Sequence, residues 1–375
     1  MHIGIESERA NNPVKTGVEH YAHQLIKHLA LLDHENNYTL YLRTKPEKWF
    51  FDLPKKFLVK VIPFPKFWTQ IRISWEMLWH APDLLFIPAS ALPLITPKRS
   101  VITIHDTAWL NYPEAFTWFM RHYLHWSTKT AVKKATKIIA VSQSTKTDLV
   151  KYYNVDPEKI AVIPHGYTVS EQDQESTSDP LIGLSSKTKA LLPDKYILFL
   201  STIQPRKNLP GLIAAFREFK NQFPEFPHKL VVVGKLGWKF EESLKAIQDN
   251  SDIVVYLGRV DDQERWPIFR KADLFINASL YEGFGMWILE AFECQVPVAV
   301  SKVSSLPEVG GDAAVYFDPQ NSQEIIDAIV SVLRHPEVAE EMRRKGLERL
   351  KLYGWDRCAE QTLNLFNGLE NEKDL

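Results

Sequence analysis

The stretch LFINASLYEGFGMWILEAF, residues 274–292, changes its hydrophobic period in the middle. LFINAS is a short apolar run of the kind that forms a strand buried on both faces, and MWILEAFEC repeats apolar residues at helical spacing. LYEGFG between them is a turn that two glycines make possible. PVAVS follows as the next apolar run, so the segment reads as strand, turn, helix, strand, the repeating unit of a parallel sheet. The turn would leave Glu282 at the carboxyl end of a strand and aim the first N–H groups of the helix into the same space, which attracts anions. Glu290 would lie a little over one turn inside the helix.

The same alternation runs along most of the 375 residues. Strands are predicted at HIGI, YTLYL, LVKVI, DLLFI, SVITI, KIIAV and IAVIP, with the clearest helices at GVEHYAHQLIKHLALL and YLHWSTKTAVKKA. Residues 168–189, TVSEQDQESTSDPLIGLSSKTK, are polar, acidic and aperiodic, and read as a linker or long surface loop. Strands then resume at YILFL, KLVVVG, IVVYLG, LFINA, PVAVS and AAVYF. The expected architecture is α/β: two doubly wound domains facing across a cleft, residues 1–170 and 191–355, joined by a linker at 171–190. A final helix over 356–375 would pack back on the first domain.

Composition narrows the function classes. The net charge of -1 conceals a basic first half, with 21 Lys/Arg against 14 Asp/Glu in residues 1–170, and an acidic second half, with 24 against 32. The excess is sharpest over residues 51–150, where 13 basic side chains face 6 acidic ones amid aromatics, as in KKFLVKVIPFPKFWTQIRISWEMLW. Such a mixture can meet anionic lipid or a phosphorylated substrate, and equally can be a solvated face over core aromatics. Nothing in it points to nucleic acid. Cys294 and Cys358 have neither metal nor disulfide-framework spacing, which fits a reducing compartment. The N-terminus carries charge where a signal peptide needs an apolar run, and LLFIPASALPLI, broken by two prolines, is shorter than the roughly 20 residues of a bilayer span. A cytoplasmic chain is expected, with peripheral contact to the inner membrane face available through residues 51–150.

Three further places can carry chemistry. STIQPRKNLPGLIAAFREF puts Arg206 and Lys207 just before Asn208, which can cap a helix beginning near Leu209 with Pro210 in its first turn. Two cations at a helix start would hold a diphosphate and stabilise it as a leaving group, although adjacent Arg-Lys pairs are commonplace on surfaces. SVITIHDTAWL puts His105 and Asp106 at the carboxyl end of a strand, where His105 could orient a sugar hydroxyl and Asp106 fix its tautomer or the loop; a satisfied core histidine is the plain alternative. Gly17, after the first strand, would let backbone approach a phosphate, or simply allow the chain to turn. Carboxylates at Glu282 and Glu290 flanking an anion site suit a hydroxyl-rich sugar at either end of a diphosphate, as in a nucleotide sugar. No Asp-x-Asp and no zinc spacing occurs, so no metal or other cofactor is expected.

In these residues the chain resembles the retaining GT-B glycosyltransferases of family 4, the glycosyl transferases group 1 set. The resemblance is most specific over residues 273–318, where Glu282 and Glu290 match the E-x7-E region and are followed by PVAVS and PEVGGDA segments. STIQPRKNL, VITIHD, IIAVSQSTKTDL, VIPHGY and YLGRV are similar to other landmarks of the family, in order. The resemblance implies metal-independent transfer of a hexosyl group with retained anomeric configuration, from a nucleotide-diphosphate sugar to a glycan or lipid-linked acceptor, in surface polysaccharide or glycoconjugate synthesis.

By position, Glu282 would hold donor-sugar hydroxyls near the reacting carbon, Glu290 the ribose, Arg206 and Lys207 the diphosphate, and His105 the donor sugar. The backbone of Gly283, Phe284, Gly285 and Met286 would bracket sugar and phosphate. In the family the leaving phosphate oxygen takes the acceptor's proton, so no protein base is implied. Departures are Met286-Trp287 in place of Leu-Pro, Gln295 in place of Gly, and STI in place of a Gly-Arg that supplies one more phosphate-binding arginine. Trp287 is expected near the donor sugar. TIHD together with PRKN tilts the donor toward GDP-mannose, with UDP-sugars next. The competing readings are a GT-B-shaped sugar-nucleotide epimerase and a degenerate subunit that binds sugar nucleotide without turnover.

Overall fold

A computed structural model of the protein describes residues 1–13, 15, 17–168 and 183–371. The chain forms two compact units, one of residues 1–168 with 353–371 and the other of residues 183–352. Each is a parallel sheet with helices on its faces, the doubly wound α/β architecture that the alternation predicts.

The first unit contains β1 (His2–Glu6), β2 (Asn37–Leu42), β3 (Phe57–Val61), β4 (Leu84–Ile87), β5 (Arg99–Ile104), β6 (Lys137–Ala140) and β7 (Ile160–Val162). They pair in the order β3-β2-β1-β4-β5-β6-β7, all parallel. Central strands such as LLFI and SVITI are buried along their whole length, which is why they read as continuous apolar runs and not as alternations. The helix Gly17–Leu32 covers one face with Tyr21, Leu25, Ile26 and Leu29. The helix Trp355–Asn371 joins it there, contributing Trp355, Cys358, Ala359 and Phe366 to the same core. Gly166 permits this contact, since a Cβ at that position would lie 2.5 Å from the Trp355 backbone.

The second unit contains β8 (Tyr196–Leu200), β9 (Lys229–Val233), β10 (Val254–Gly258), β11 (Leu274–Asn277), β12 (Val298–Ser301) and β13 (Ala314–Phe317), ordered β10-β9-β8-β11-β12-β13. In both sheets the order reverses beside the first strand, between β1 and β4 and between β8 and β11. Ligands of open α/β sheets bind beyond the strand ends at such points. The helices Leu209–Gln222 and Ser322–Arg334 pack on one face of the second sheet.

Two local readings change. Of the segment read as linker, residues 169–182 lie outside the described residues, while Ser186–Leu191 is a short helix whose start Ser185 caps by accepting from Thr188 N. Trp287, expected near the donor sugar, is buried with its ring 5.2 Å from that of Phe275, because the outward position in an apolar helix start is taken by Met286 and Trp287 turns into the core.

Candidate functional site

In the second unit, Arg206 and Lys207 lie just past the end of β8, in a single 3-10 turn (Pro205–Lys207), and Glu282 lies just past the end of β11. These strands are neighbours at the sheet's reversal point, and Leu280 N donates to Arg206 O at 2.8 Å, tying one loop to the other. The side chains converge. Arg206 Nη1 donates to Glu282 Oε2 at 2.8 Å, and Lys207 Nζ donates to Glu282 Oε1. Ser279 Oγ also donates to Glu282 Oε1, at 2.7 Å.

Glu282 is 6% exposed and Lys207 5%. Burial would push the Glu282 carboxyl up, but the Arg206 and Lys207 charges, with hydrogen bonds from Lys207 and Ser279, outweigh it and hold the group at about 2. Two cations around one carboxylate leave this cluster electropositive. A lysine this buried needs an anion beside it, and Glu282 supplies one.

The turn after Glu282 is held from outside. Ser304 Oγ accepts from Glu282 N at 2.8 Å, and Ser305 Oγ lies 2.9 Å from both the Glu282 and Phe284 carbonyls, as donor. Gly285 sits at φ 101° and starts the helix Met286–Glu293 with no side-chain cap. The Gly283, Phe284, Gly285 and Met286 backbone therefore runs from the carboxylate into an uncapped helix start, as the sequence implies. Ser279, Ser304 and Ser305 were missed. The last two lie in SKVSSLPEVGG, which the residues alone mark only as the approach to a short helix.

Glu290, in the helix Met286–Glu293, pairs with Arg265 at 3.2 Å. Arg265 comes from the helix Asp262–Arg270 and lacks any local sequence signal. Asn208 also departs from its expected role. It precedes the helix Leu209–Gln222 in the left-handed region, φ 50°, and its side chain donates to Pro319 O at 2.7 Å and makes no cap bond. A tight 3-10 turn leading straight into the helix forces that backbone and turns the amide away from the first N–H groups.

In the first unit His105 follows β5. Its Nε2 lies 3.0 Å from Pro88 O and its Nδ1 3.2 Å from His165 Nε2. A carbonyl can only accept, so Nε2 carries the proton and Nδ1 accepts from His165. Pro88 thus fixes the tautomer, not Asp106, which accepts from Ala108 N and shapes the loop. Burial lowers the His105 pKa to about 4, against the raising effect of the Pro88 carbonyl and Asp106. Tyr21, from the helix that Gly17 begins, meets both histidine rings edge-on at 4.9 Å. Nothing lies within 4 Å of a Cβ built on Gly17, so the protein itself does not require a glycine there. Among the described residues no three His, Cys, Asp or Glu side chains gather as metal ligands do.

Known proteins are similar to this chain in sequence and in fold. The family model for glycosyl transferases group 1 matches residues 185–349, and that for glycosyltransferase family 4 matches residues 15–171. O-antigen chain mannosyltransferase B of Escherichia coli is 30% identical over 302 residues, 79% of this chain and 75% of that one. O-antigen chain mannosyltransferase RfbU of Salmonella typhimurium is 26% identical over 272 residues, 72% of this chain and 70% of that one. Among solved structures, Anabaena HepE in complex with UDP-glucose matches with a TM-score of 0.71 at 18% identity, covering 98% of this chain and 100% of that one. With a 30% identical relative matched over three quarters of its length, the chain belongs to the GT-B glycosyl transferases group 1 of family 4 and is a glycosyltransferase.

Proposed function

We propose that the protein transfers a hexosyl group, mannosyl first among candidates, from a nucleotide-diphosphate sugar to a glycan or lipid-linked acceptor in polysaccharide synthesis, with retention and without a metal. The observation that carries this reading is the convergence of Arg206 and Lys207 on Glu282 beside an uncapped helix start at the reversal point of the second sheet. The relatives' O-antigen chain mannosyltransferase names support a polysaccharide acceptor and a mannosyl donor.

The chemistry follows from charge. The bond between the anomeric carbon and the β-phosphate oxygen breaks, its electron pair leaves with the nucleoside diphosphate, the acceptor oxygen bonds to the carbon, and the acceptor's proton passes to the departing phosphate. Arg206, Lys207 and the N–H groups at the helix start stabilise the growing negative charge, a role a divalent cation fills in other transferases. Before donor binds, Glu282 is the anion that balances those cations. Once the diphosphate takes that place, Glu282 is released toward the sugar hydroxyls. Glu290 with Arg265 is assigned the ribose end. Gly17 is assigned a phosphate contact and His105 a donor-sugar contact; in the second role His165 and Pro88 hold the ring rigid.

Nucleotide release across a panel of GDP-, UDP- and dTDP-sugars, with and without lipid-linked acceptor, tests the reading. GDP-mannose is expected to be turned over fastest and only with acceptor. Absence of release from every donor would sink it, and product with inverted configuration would remove retention.

A further inference from the structure

The first unit exposes large apolar side chains that its core does not use. Trp75 and Trp79 are 63% and 65% exposed, Trp118 and Phe119 71% and 74%. Ile71, Trp75, Leu78 and Trp79 recur at one-face helical spacing through the end of the turn Trp68–Arg72 and the helix Ile73–Trp79. On the helix Trp118–Lys134, the first residues to be buried are Ser127 and Thr128, so its leading two turns project with Trp118, Phe119, Tyr123 and Trp126 outward. These surfaces adjoin. Leu94 N and Ile95 N, from an exposed apolar loop, donate to Ser74 Oγ at 2.7 and 3.2 Å; Lys134 Nζ donates to Leu94 O at 2.8 Å; Gln70 Nε2 donates to Tyr123 Oη at 3.3 Å. A continuous apolar face of this extent marks an interaction site.

Its charge identifies the occupant. Residues 115–137 contain Arg121, Lys129, Lys133, Lys134 and Lys137 and no acidic residue. Glu76, under the first helix, is buried and paired with Arg72. Two copies meeting through this face about a twofold axis would set the same lysines against each other. Aromatic side chains ringed by lysine and arginine instead match an anionic bilayer, where tryptophan and tyrosine rest at headgroup depth and each basic side chain adds attraction.

The face also leads into a cavity. Phe67 and Tyr123, both exposed, line a cavity of about 570 Å³ at the reversal point of the first sheet, whose polar wall carries Arg9 and Arg43 with Glu6, Glu8 and Glu19. We propose that this face docks on an anionic bilayer and holds the cavity at headgroup level, so that the acceptor is a membrane amphiphile whose hydroxylated head enters the cavity while its tail stays in the lipid. The docking stands on the surface alone; the acceptor class rests also on the transferase reading.

The full chain is sedimented with phosphatidylcholine vesicles with and without phosphatidylglycerol, with no donor present. Binding to the anionic vesicles, a blue shift of tryptophan emission and weakening with salt are expected. Trp118→Ser with Phe119→Ser should lower the affinity at least about tenfold, and Lys129→Gln with Lys133→Gln roughly 30-fold. Wild-type protein that ignores both vesicle types, or that forms a dimer which Trp118→Ser with Phe119→Ser dissolves, overturns the docking. Transfer to a lipid-linked acceptor in vesicles is then compared with transfer to the same glycan free in solution. A kcat/KM at least about tenfold higher on vesicles, lost in the Trp118/Phe119 variant, is expected; equal rates overturn the acceptor class. Vesicle binding without nucleotide release from any donor would instead defeat the transferase reading and leave the docking intact.

Discussion

Glu282 is the residue on which the most physics meets. Its carboxylate is buried, accepts from Arg206, Lys207 and Ser279, and stays ionised because those partners outweigh burial. Glu282→Gln keeps the shape and an acceptor oxygen but frees two cations. It is expected to cut kcat by at least about 100-fold while nucleoside diphosphate affinity holds or rises; calorimetric titration showing that affinity collapse would make Glu282 a phosphate-site scaffold and not a sugar contact. Lys207→Ala should weaken the same affinity by roughly 1.5 to 3 kcal/mol, the range for a hydrogen bond to a charged group. Unchanged binding would return Lys207 to a structural partner of Glu282. Gln295, where the resemblance expects glycine, adopts φ 53°. Side chains are strained there by about 1 kcal/mol, so Gln295→Gly is expected to raise the melting temperature, and a fall would show that the side chain contributes packing. The residue types at 206, 207 and 282 were legible as charges just past strand ends, and 290 as a carboxylate inside the following helix. That 206 and 207 converge on 282, and that 265 pairs with 290, was not, because sequence spacing carries no information on which loops touch across a sheet.

At the level of elements, burial explains why the strands were so readable. Runs such as LFIN and KLVVV are buried on both faces, and a buried strand advertises itself by unbroken apolar character. Both helix ends and loop contacts were harder. Asn208 has the chemistry of a cap yet bonds Pro319, since a 3-10 turn, invisible to a period count, sets its backbone. At Gly285 local conformation matters: with φ at 101° and Leu306 Cδ2 only 2.8 Å from an added Cβ, Gly285→Ala strains the turn and must displace either Leu306 or the helix start. A loss of roughly 1 to 3 kcal/mol in unfolding free energy is expected, together with weaker diphosphate binding; a variant with wild-type stability and affinity would show the turn to be tolerant. The basic, aromatic segment over 51–150 was legible as composition, but composition could not separate a core from a surface. The exposure of Trp75, Trp79, Trp118 and Phe119 does.

For the molecule as a whole, pH should act on the first unit through buried groups shifted in opposite senses. Burial raises the Glu6 carboxyl to about 7, despite Arg9, and lowers His105 to about 4. Between about pH 4.5 and 7 the folded state holds a proton on Glu6 that the unfolded state has lost, so this group makes stability fall as pH rises. His105 does the reverse: below its ordinary range the unfolded state takes up the proton first, so stability falls as pH drops from about 6.5 to 4. Burial lowers His23, to about 3, and His165 in the same sense, so the Glu6 slope opposes only part of the histidine effect. Glu6→Gln should leave the histidine slope exposed, visible as a steeper loss of denaturation midpoint between pH 6.5 and 4; an unchanged profile would mean Glu6 is ionised in the folded protein. Glu282, held at about 2, adds stability that is fully present above about pH 4.5 and is lost as pH falls from there through about 2. A structure determined with a nucleotide-diphosphate sugar bound is the sharpest trial of the electropositive cluster in the second unit. The diphosphate is expected on Lys207 Nζ, Arg206 and the N–H groups that start the helix Met286–Glu293, with Glu282 turned toward sugar hydroxyls. Phosphates bound elsewhere, with Lys207 still paired to Glu282, would contradict it.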